Sequence, residues 1–212
     1  VKQRLRGIFN RLYSAFGPQR WWPADSAFEV IVGAILTQNT SWANVEKAIA
    51  KIKENKCLNP EILSRLSRKK LAGMIKSAGY YNVKASRLKY FLDFFQGSYS
   101  AEIKRMKAQN LDKLRRQLLG VNGVGPETAD SILLYALNKP VFVIDAYTKR
   151  IFSRHRILPP ESSYEQAQDL FMRNLKHDVK MFNEYHALLV KLGKDYCRKS
   201  KPKCAVCPLH DK

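Results

Sequence analysis

Apolar residues return every three to four positions along almost the whole of this chain, and that period leaves it little to fold into but helices. In "WANVEKAIAKI", Trp42, Val45, Ala48, Ile49 and Ile52 share one face, while Glu46, Lys47 and Lys51 lie off it. The run "FEVIVGAIL" is apolar almost all round, which suits a helix buried on several sides. "KLAGMIKSAG" and "KASRLKYFLDFF" repeat the amphipathic pattern around a helix end at Gly79. "LDKLRRQLL", "PETADSILLYAL", "YEQAQDLFMRNL" and "NEYHALLVKLGKDYC" continue it. The one extended run, "PVFVI" at 140–144, has no partner strand and reads as a linker. An all-α protein of about ten helices is expected.

The chain has 212 residues, enough for one large domain or two small ones with a real core. Lys and Arg number 38 against 18 acids, a net charge of +20. An excess of that size points to a polyanionic partner. A membrane surface is a poor candidate. The longest apolar stretch, "VIVGAIL", is far too short to span a bilayer, and no signal-peptide pattern appears. A soluble, cytoplasmic monomer bound to a polyanion is the expectation. The chain opens on Val1 rather than a methionine, so trimmed ends are expected too.

Three stretches carry chemistry. In "LGVNGVGPETA", Gly123 and Gly125 flank Val124, and Pro126 suits the first position of a helix. The N–H groups at a helix start lack intrahelical partners and carry the positive end of its dipole, so a phosphate can sit there. A tight interhelical turn without a ligand explains the glycines equally well. In "VFVIDAYTKR", Asp145 falls between an apolar run and a basic one. An acid there caps a helix and is stabilised as an anion. The last sixteen residues, "CRKSKPKCAVCPLHDK", have no apolar period and need a ligand to order them. Cys197, Cys204 and Cys207 within them read as metal or cluster ligands before disulfides. A [4Fe–4S] cluster and a zinc site completed by His210 are both open. Cys57 stands alone and reads as an ordinary helix-end residue.

"LLGVNGVGPETADSILLYAL" followed by "VFVIDAYTKRIFSRH" resembles the helix-hairpin-helix motif and following aspartate of the endonuclease III superfamily of DNA glycosylases. "AILTQNTSWANVEKAI" resembles its helix and wedge loop, "SAGYYNVKASRLKYF" its DNA-facing loop and next helix, and the tail its iron–sulfur loop. The resemblance covers nearly the whole chain in the right order. It implies two helical domains with a DNA-binding cleft between them. Residues 25–137 would form a six-helix barrel carrying the hairpin; 1–24 and 138–212 would form the terminal domain with the cysteine loop.

The resemblance also implies site residues. Asp145 matches the catalytic aspartate, whose carboxylate would stabilise the positive charge growing on the sugar as the base–sugar bond breaks. Members that also cut the strand carry a lysine just after the hairpin, where this chain has Glu127. A carboxylate cannot form a Schiff base. A monofunctional glycosylase that leaves an abasic site in duplex DNA is therefore expected, with Lys149, one helical turn past Asp145, as the remaining stand-in. "WWP…FE…GAILTQNT" resembles the branch built on this fold that removes alkylated purines such as 3-methyladenine. Trp42 would stack on the flipped base, with Trp21, Trp22 and Pro23 lining the pocket. A methylated purine is cationic while attached to the sugar, and an indole face attracts a cation. Packing anchors are the alternative use of those tryptophans. Asp25 and Glu29, close by in sequence, have no assigned role.

Gln38 would fill the gap left by the flipped nucleotide. Asn82, Lys84, Gly123, Gly125, Glu127 and Lys149 would meet DNA, with Arg115, Arg116, Arg150 and Arg154 extending the basic track. The tail spacing, Cys197-x6-Cys204-x2-Cys207, matches the first three ligands of the superfamily's [4Fe–4S] loop, whose fourth would be residue 213. Its lysines, Lys199, Lys201 and Lys203, could then face phosphate. The rivals are a bifunctional enzyme acting on oxidised pyrimidines, a non-catalytic DNA-binding module, and an electron-transfer protein.

Overall fold

A computed structural model describes residues 1–210. Its described residues hold twelve α-helices and no strand. They divide into two compact units, 24–139 and 1–23 with 140–212.

The contiguous unit runs from α2 (Ala27–Leu36) to α9 (Pro126–Ser131). α2 is its centre, with every residue from Phe28 to Leu36 buried, so its all-round apolar sequence has the surroundings it needs. Ser26 caps it by accepting from the Glu29 N–H. The Glu29 carboxylate accepts from the Asp25 N–H at 3.0 Å and meets Lys53 Nζ at 2.7 Å. Lys53 also reaches Asp25, and it sits near the end of α3 (Trp42–Glu54). Asp25 and Glu29 thus tie the start of α2 to α3. α4 (Pro60–Arg65) and α5 (Arg68–Met74) lead to Gly79 at φ 69°, which stops the chain. α6 (Tyr81–Tyr99) follows, buried through Leu88, Phe91, Leu92 and Phe95. α7 (Ile103–Ala108) and α8 (Leu111–Leu119) complete the approach to the hairpin. α9 continues through a π turn, Ile132–Ala136, entirely buried.

The other unit holds α1 (Lys2–Phe16), α10 (Ala146–Arg154), α11 (Tyr164–Asn174) and α12 (Val179–Asp195). Its core is aromatic. Phe142 stacks on Phe171 with centroids 3.9 Å apart, and Phe152, Phe182 and Tyr185 meet them edge-on. The extended run 141–144 passes through this core rather than over it, with Phe142 and Val143 fully buried. Its backbone polar groups find side chains: Gln168 donates to the Phe142 carbonyl and the Ile144 N–H donates to the Tyr164 hydroxyl. A buried extended segment is what fixes the position of the residue that follows it, Asp145. No helix among the described residues is long and apolar enough to cross a membrane.

Candidate nucleic-acid interface and active site

α8 and α9 form the hairpin. Asn110 caps α8 by accepting from the N–H groups of Asp112 and Lys113. Between Gly120 and Gly125, Val121 and Val124 are buried and the Val124 N–H closes the turn on the Val121 carbonyl at 3.0 Å. Gly125 is the extended N-cap of α9, and Pro126 is its first residue. Beneath the turn, Arg115 binds Asp130 through two parallel bonds, Nε–Oδ1 at 2.7 Å and Nη2–Oδ2 at 3.0 Å. The Asp130 side chain is 0% exposed. Arg115, expected on the basic track, is therefore spent on joining the two helices.

Gly123 has φ +85°, and Arg87 of α6 crosses it so closely that a Cβ would lie 2.3 Å from Arg87 Cγ. Arg87 also donates to Gln38 Oε1. The Gln38 amide donates in turn to the Gly123 carbonyl at 3.0 Å and to the Thr128 hydroxyl at 2.9 Å. The wedge-loop glutamine is thus tied to the hairpin through Nε2 and to α6 through Oε1. Gly123→Ala should cost about 1–2 kcal/mol for the left-handed backbone alone and should displace Arg87 from Gln38. Thermal melting together with fluorescence-anisotropy DNA binding checks it; unchanged values in both would remove the requirement for glycine.

Asp145 is the N-cap of α10, and its Oδ1 accepts from the Thr148 N–H at 2.7 Å. Its side chain is 10% exposed, and Oδ2 stands 3.7 Å from Nε2 of His186 on α12. Burial lowers the His186 pKa, and the Asp145 charge opposes that in part. His186 was not singled out in the sequence, where it is one polar residue in a helical pattern.

Several side chains expected at DNA have partners within the protein. Lys84 is 1% exposed and its ammonium donates to the Ala78 carbonyl at 2.6 Å; burial lowers its pKa, and it cannot meet a phosphate from there. Lys149 donates to the Ser162 carbonyl at 2.9 Å and is half-buried. Arg150 donates to the carbonyls of Cys197 and Gly193 and covers the Tyr147 ring. Arg154 donates to the carbonyls of Arg198 and Lys199. Asn82, Arg116, Gly125, Glu127, Lys199, Lys201 and Lys203 are exposed. Tyr80, 74% exposed with φ 45°, and Val83, 50% exposed, join Asn82 at the start of α6. Trp21 and Trp22 are half-buried with ring centroids 5.0 Å apart, and Pro23 is exposed. Trp42, also half-buried, is the first residue of α3.

Arginines hold the tail, and Leu209 within it is buried. Besides Arg150 and Arg154, Arg11 of α1 donates to the carbonyls of Pro208 and His210. Cys197 is buried, Cys207 half-buried and Cys204 exposed. Burial raises the Cys207 pKa, and the charges of Cys197 and Cys204 add to that. No three His, Cys, Asp or Glu among the described residues converge on one point that could hold a single metal ion. Thiolates on one zinc stand about 3.8 Å apart, given Zn–S of about 2.3 Å and tetrahedral angles. Ligands of a four-iron cluster bind separate corners and stand wider. The position of a fourth ligand, 213, lies outside the described residues.

The fold presents the turn between α8 and α9 and the buried, capped carboxylate of Asp145, and sequence comparison identifies the kind of protein that carries them. The profile of the HhH-GPD superfamily of base excision DNA repair proteins matches residues 32–177, and the chain belongs to that superfamily. A Methanocaldococcus jannaschii protein provisionally named DNA repair glycosylase MJ1434 is 45% identical over 206 residues, covering 96% of this chain and 93% of that one. Bacillus subtilis endonuclease III is 27% identical, over 87% and 80% of the two chains. H. pylori 3-methyladenine DNA glycosylase, solved with 1,N6-ethenoadenine, superposes with a TM-score of 0.76 at 26% identity, covering 91% of this chain and 95% of that one. A trapped endonuclease III–DNA covalent intermediate shares the fold, with a TM-score of 0.84 at 21% identity over 99% and 93% of the chains. The protein is a DNA glycosylase of base excision repair, and DNA is its partner.

Proposed function

We propose that the protein is a monofunctional glycosylase that acts as a monomer on duplex DNA and releases alkylated purines such as 3-methyladenine. The observation that carries this reading is the pairing of a buried, capped Asp145 carboxylate with Glu127 at the hairpin position where strand-cutting relatives need a lysine. Lys149, the stand-in, already donates to the Ser162 carbonyl, which supports water as the nucleophile.

The chemistry follows from those residues. A base must leave the stack to be reached, at a cost of a few kcal/mol that is least for a damaged base. N–H groups at the hairpin receive the backbone phosphate, and exposed Tyr80 offers an aromatic face toward the opened stack. Trp42 stacks on the flipped base, and the positive charge of a methylated purine strengthens that contact. The glycosidic bond of such a base is already weakened. Asp145 then stabilises the positive sugar as the bond breaks and orients water to its anomeric carbon. No strong general acid is required, because the leaving purine departs neutral.

A [4Fe–4S] cluster on Cys197, Cys204 and Cys207 would order the tail and present Lys199, Lys201 and Lys203 to phosphate; its role is structural. Purified protein should be brown, with broad absorption at about 400 nm, and Cys204→Ser should lose both the colour and DNA affinity. A colourless, zinc-loaded protein would overturn the cluster.

The lesion class is tested by incubating the protein with duplexes carrying methylated purines, deaminated bases or oxidised pyrimidines and identifying the released base. Methylpurine release is expected; release of oxidised pyrimidines alone would overturn it. Trp42→Ala should slow methylpurine excision by about tenfold or more, in line with a stacking contact of about 1–3 kcal/mol. Binding to undamaged duplex should hardly change. Equal losses in both would discredit the stacking role.

A further inference from the structure

The mechanism above uses one face of the Asp145 carboxylate and leaves a second buried ionisable group beside it without a task. Oδ1 is committed to the Thr148 N–H at 2.7 Å. Oδ2 faces Nε2 of His186 across 3.7 Å, longer than a direct hydrogen bond, with the His186 side chain 8% exposed. That approach is built into the packing of α10 on α12. Gly193 meets Tyr147 so closely that a Cβ would lie 2.4 Å from Tyr147 Cδ1. Gly193 follows His186 by seven residues, two helical turns, so both present the same face of α12. The glycine lets the helices close and the histidine arrives at the carboxylate.

A carboxylate held by a single backbone N–H remains free to turn about its own Cβ–Cγ bond, because that torsion is broad. A contact that is long in the free enzyme and tightens in the substrate complex would fix its plane. Desolvation favours the neutral imidazole at this site. A neutral ring can orient Oδ2 while leaving the carboxylate its full negative charge; an arginine or lysine in the same place would quench the charge the sugar needs.

We propose that His186 is a positioning residue for base excision, holding Oδ2 of Asp145 in the plane from which the carboxylate meets the developing sugar cation. The inference rests on the reading of Asp145 as the catalytic carboxylate. It requires a group that can present an N–H at the Nε2 position, rather than any side chain of the right volume. Glutamine reproduces that N–H; leucine fills similar space without it.

The test compares wild type, His186→Gln and His186→Leu on a duplex containing one methylated purine. Single-turnover excision rates, affinity for a duplex with an uncleavable abasic analogue, and thermal midpoints are measured. His186→Leu should lower the excision rate by about tenfold to a hundredfold, the scale of a misplaced reacting group. His186→Gln should recover most of that loss. Both should bind the analogue duplex and melt as wild type does. In an Asp145→Asn background, His186→Leu should add nothing, because the group it positions is gone. Gly193→Ala, which pushes α12 off α10 and leaves His186 intact, should reproduce the His186→Leu rate. Wild-type excision by His186→Leu would overturn the proposal, as would equal slowing by leucine and glutamine. A wild-type protein that releases no base from any lesion would instead overturn the reading of Asp145, and this proposal with it.

Discussion

Asp145→Asn should abolish base release while leaving the fold intact. Asparagine caps helices about as well as aspartate, so its side-chain oxygen can still accept from the Thr148 N–H, which now stands 2.7 Å from Oδ1. What it cannot supply is negative charge. Removing one preorganised electrostatic contact costs about 10²–10³ in rate, and here the lost group is the formal charge itself. A loss of at least about a thousandfold in single-turnover excision is expected, with the melting temperature within a degree or two of wild type. Asp145→Ala separates the two duties from the other side. It should lose the same activity and in addition about 1 kcal/mol of stability through the missing cap. Excision by Asp145→Asn at the wild-type rate would reduce Asp145 to a cap.

Arg115→Met should be the most destabilising single change in the hairpin. Asp130 is fully buried and receives both forks of the Arg115 guanidinium. Two charges buried together roughly balance the cost of leaving water against their attraction. Removing only the cation leaves a desolvated carboxylate, a loss of about 3–5 kcal/mol. For a chain of this size, that lowers the melting temperature by about 10 °C. Because Arg115 is on α8 and Asp130 on α9, the damage falls on the geometry of the turn between them. DNA affinity should fall with stability, and it should fall even well below the melting temperature. Restoring a neutral pair, Arg115→Met with Asp130→Leu, should recover much of the stability. A melting curve unchanged by Arg115→Met would show that the pair does not hold the hairpin.

The features legible in the sequence are those encoded by neighbours in the chain. A 3.6-residue apolar period within one helix is enough to place α3 and α8, and an all-round apolar run places α2. Glycine before proline marks the start of α9, and an acid after an apolar run marks the cap of α10. The illegible features depend on partners far along the chain. His186 meets Asp145 across forty-one positions, and Arg87 meets Gln38 across forty-nine. A helical histidine or arginine reads alike whether it faces water or a carboxylate. The protein partners of Lys84, Arg115, Arg150 and Arg154 are illegible for the same reason. A basic side chain near a DNA-contacting loop can equally end on a buried carbonyl, as Lys84 does on Ala78. The extended run 141–144 reads as linker because it lacks a partner strand. It is core because side chains, not strands, satisfy its backbone.

The central claim, hydrolysis driven by the Asp145 carboxylate without an attacking amine, is met most directly by borohydride trapping. The protein is incubated with a duplex bearing a single methylated purine in the presence of sodium borohydride. Released base and protein–DNA adducts are measured on the same sample. The account predicts free methylpurine, an abasic strand that stays whole until alkali is added, and no covalent complex. A borohydride-stable adduct formed in step with base release would contradict it.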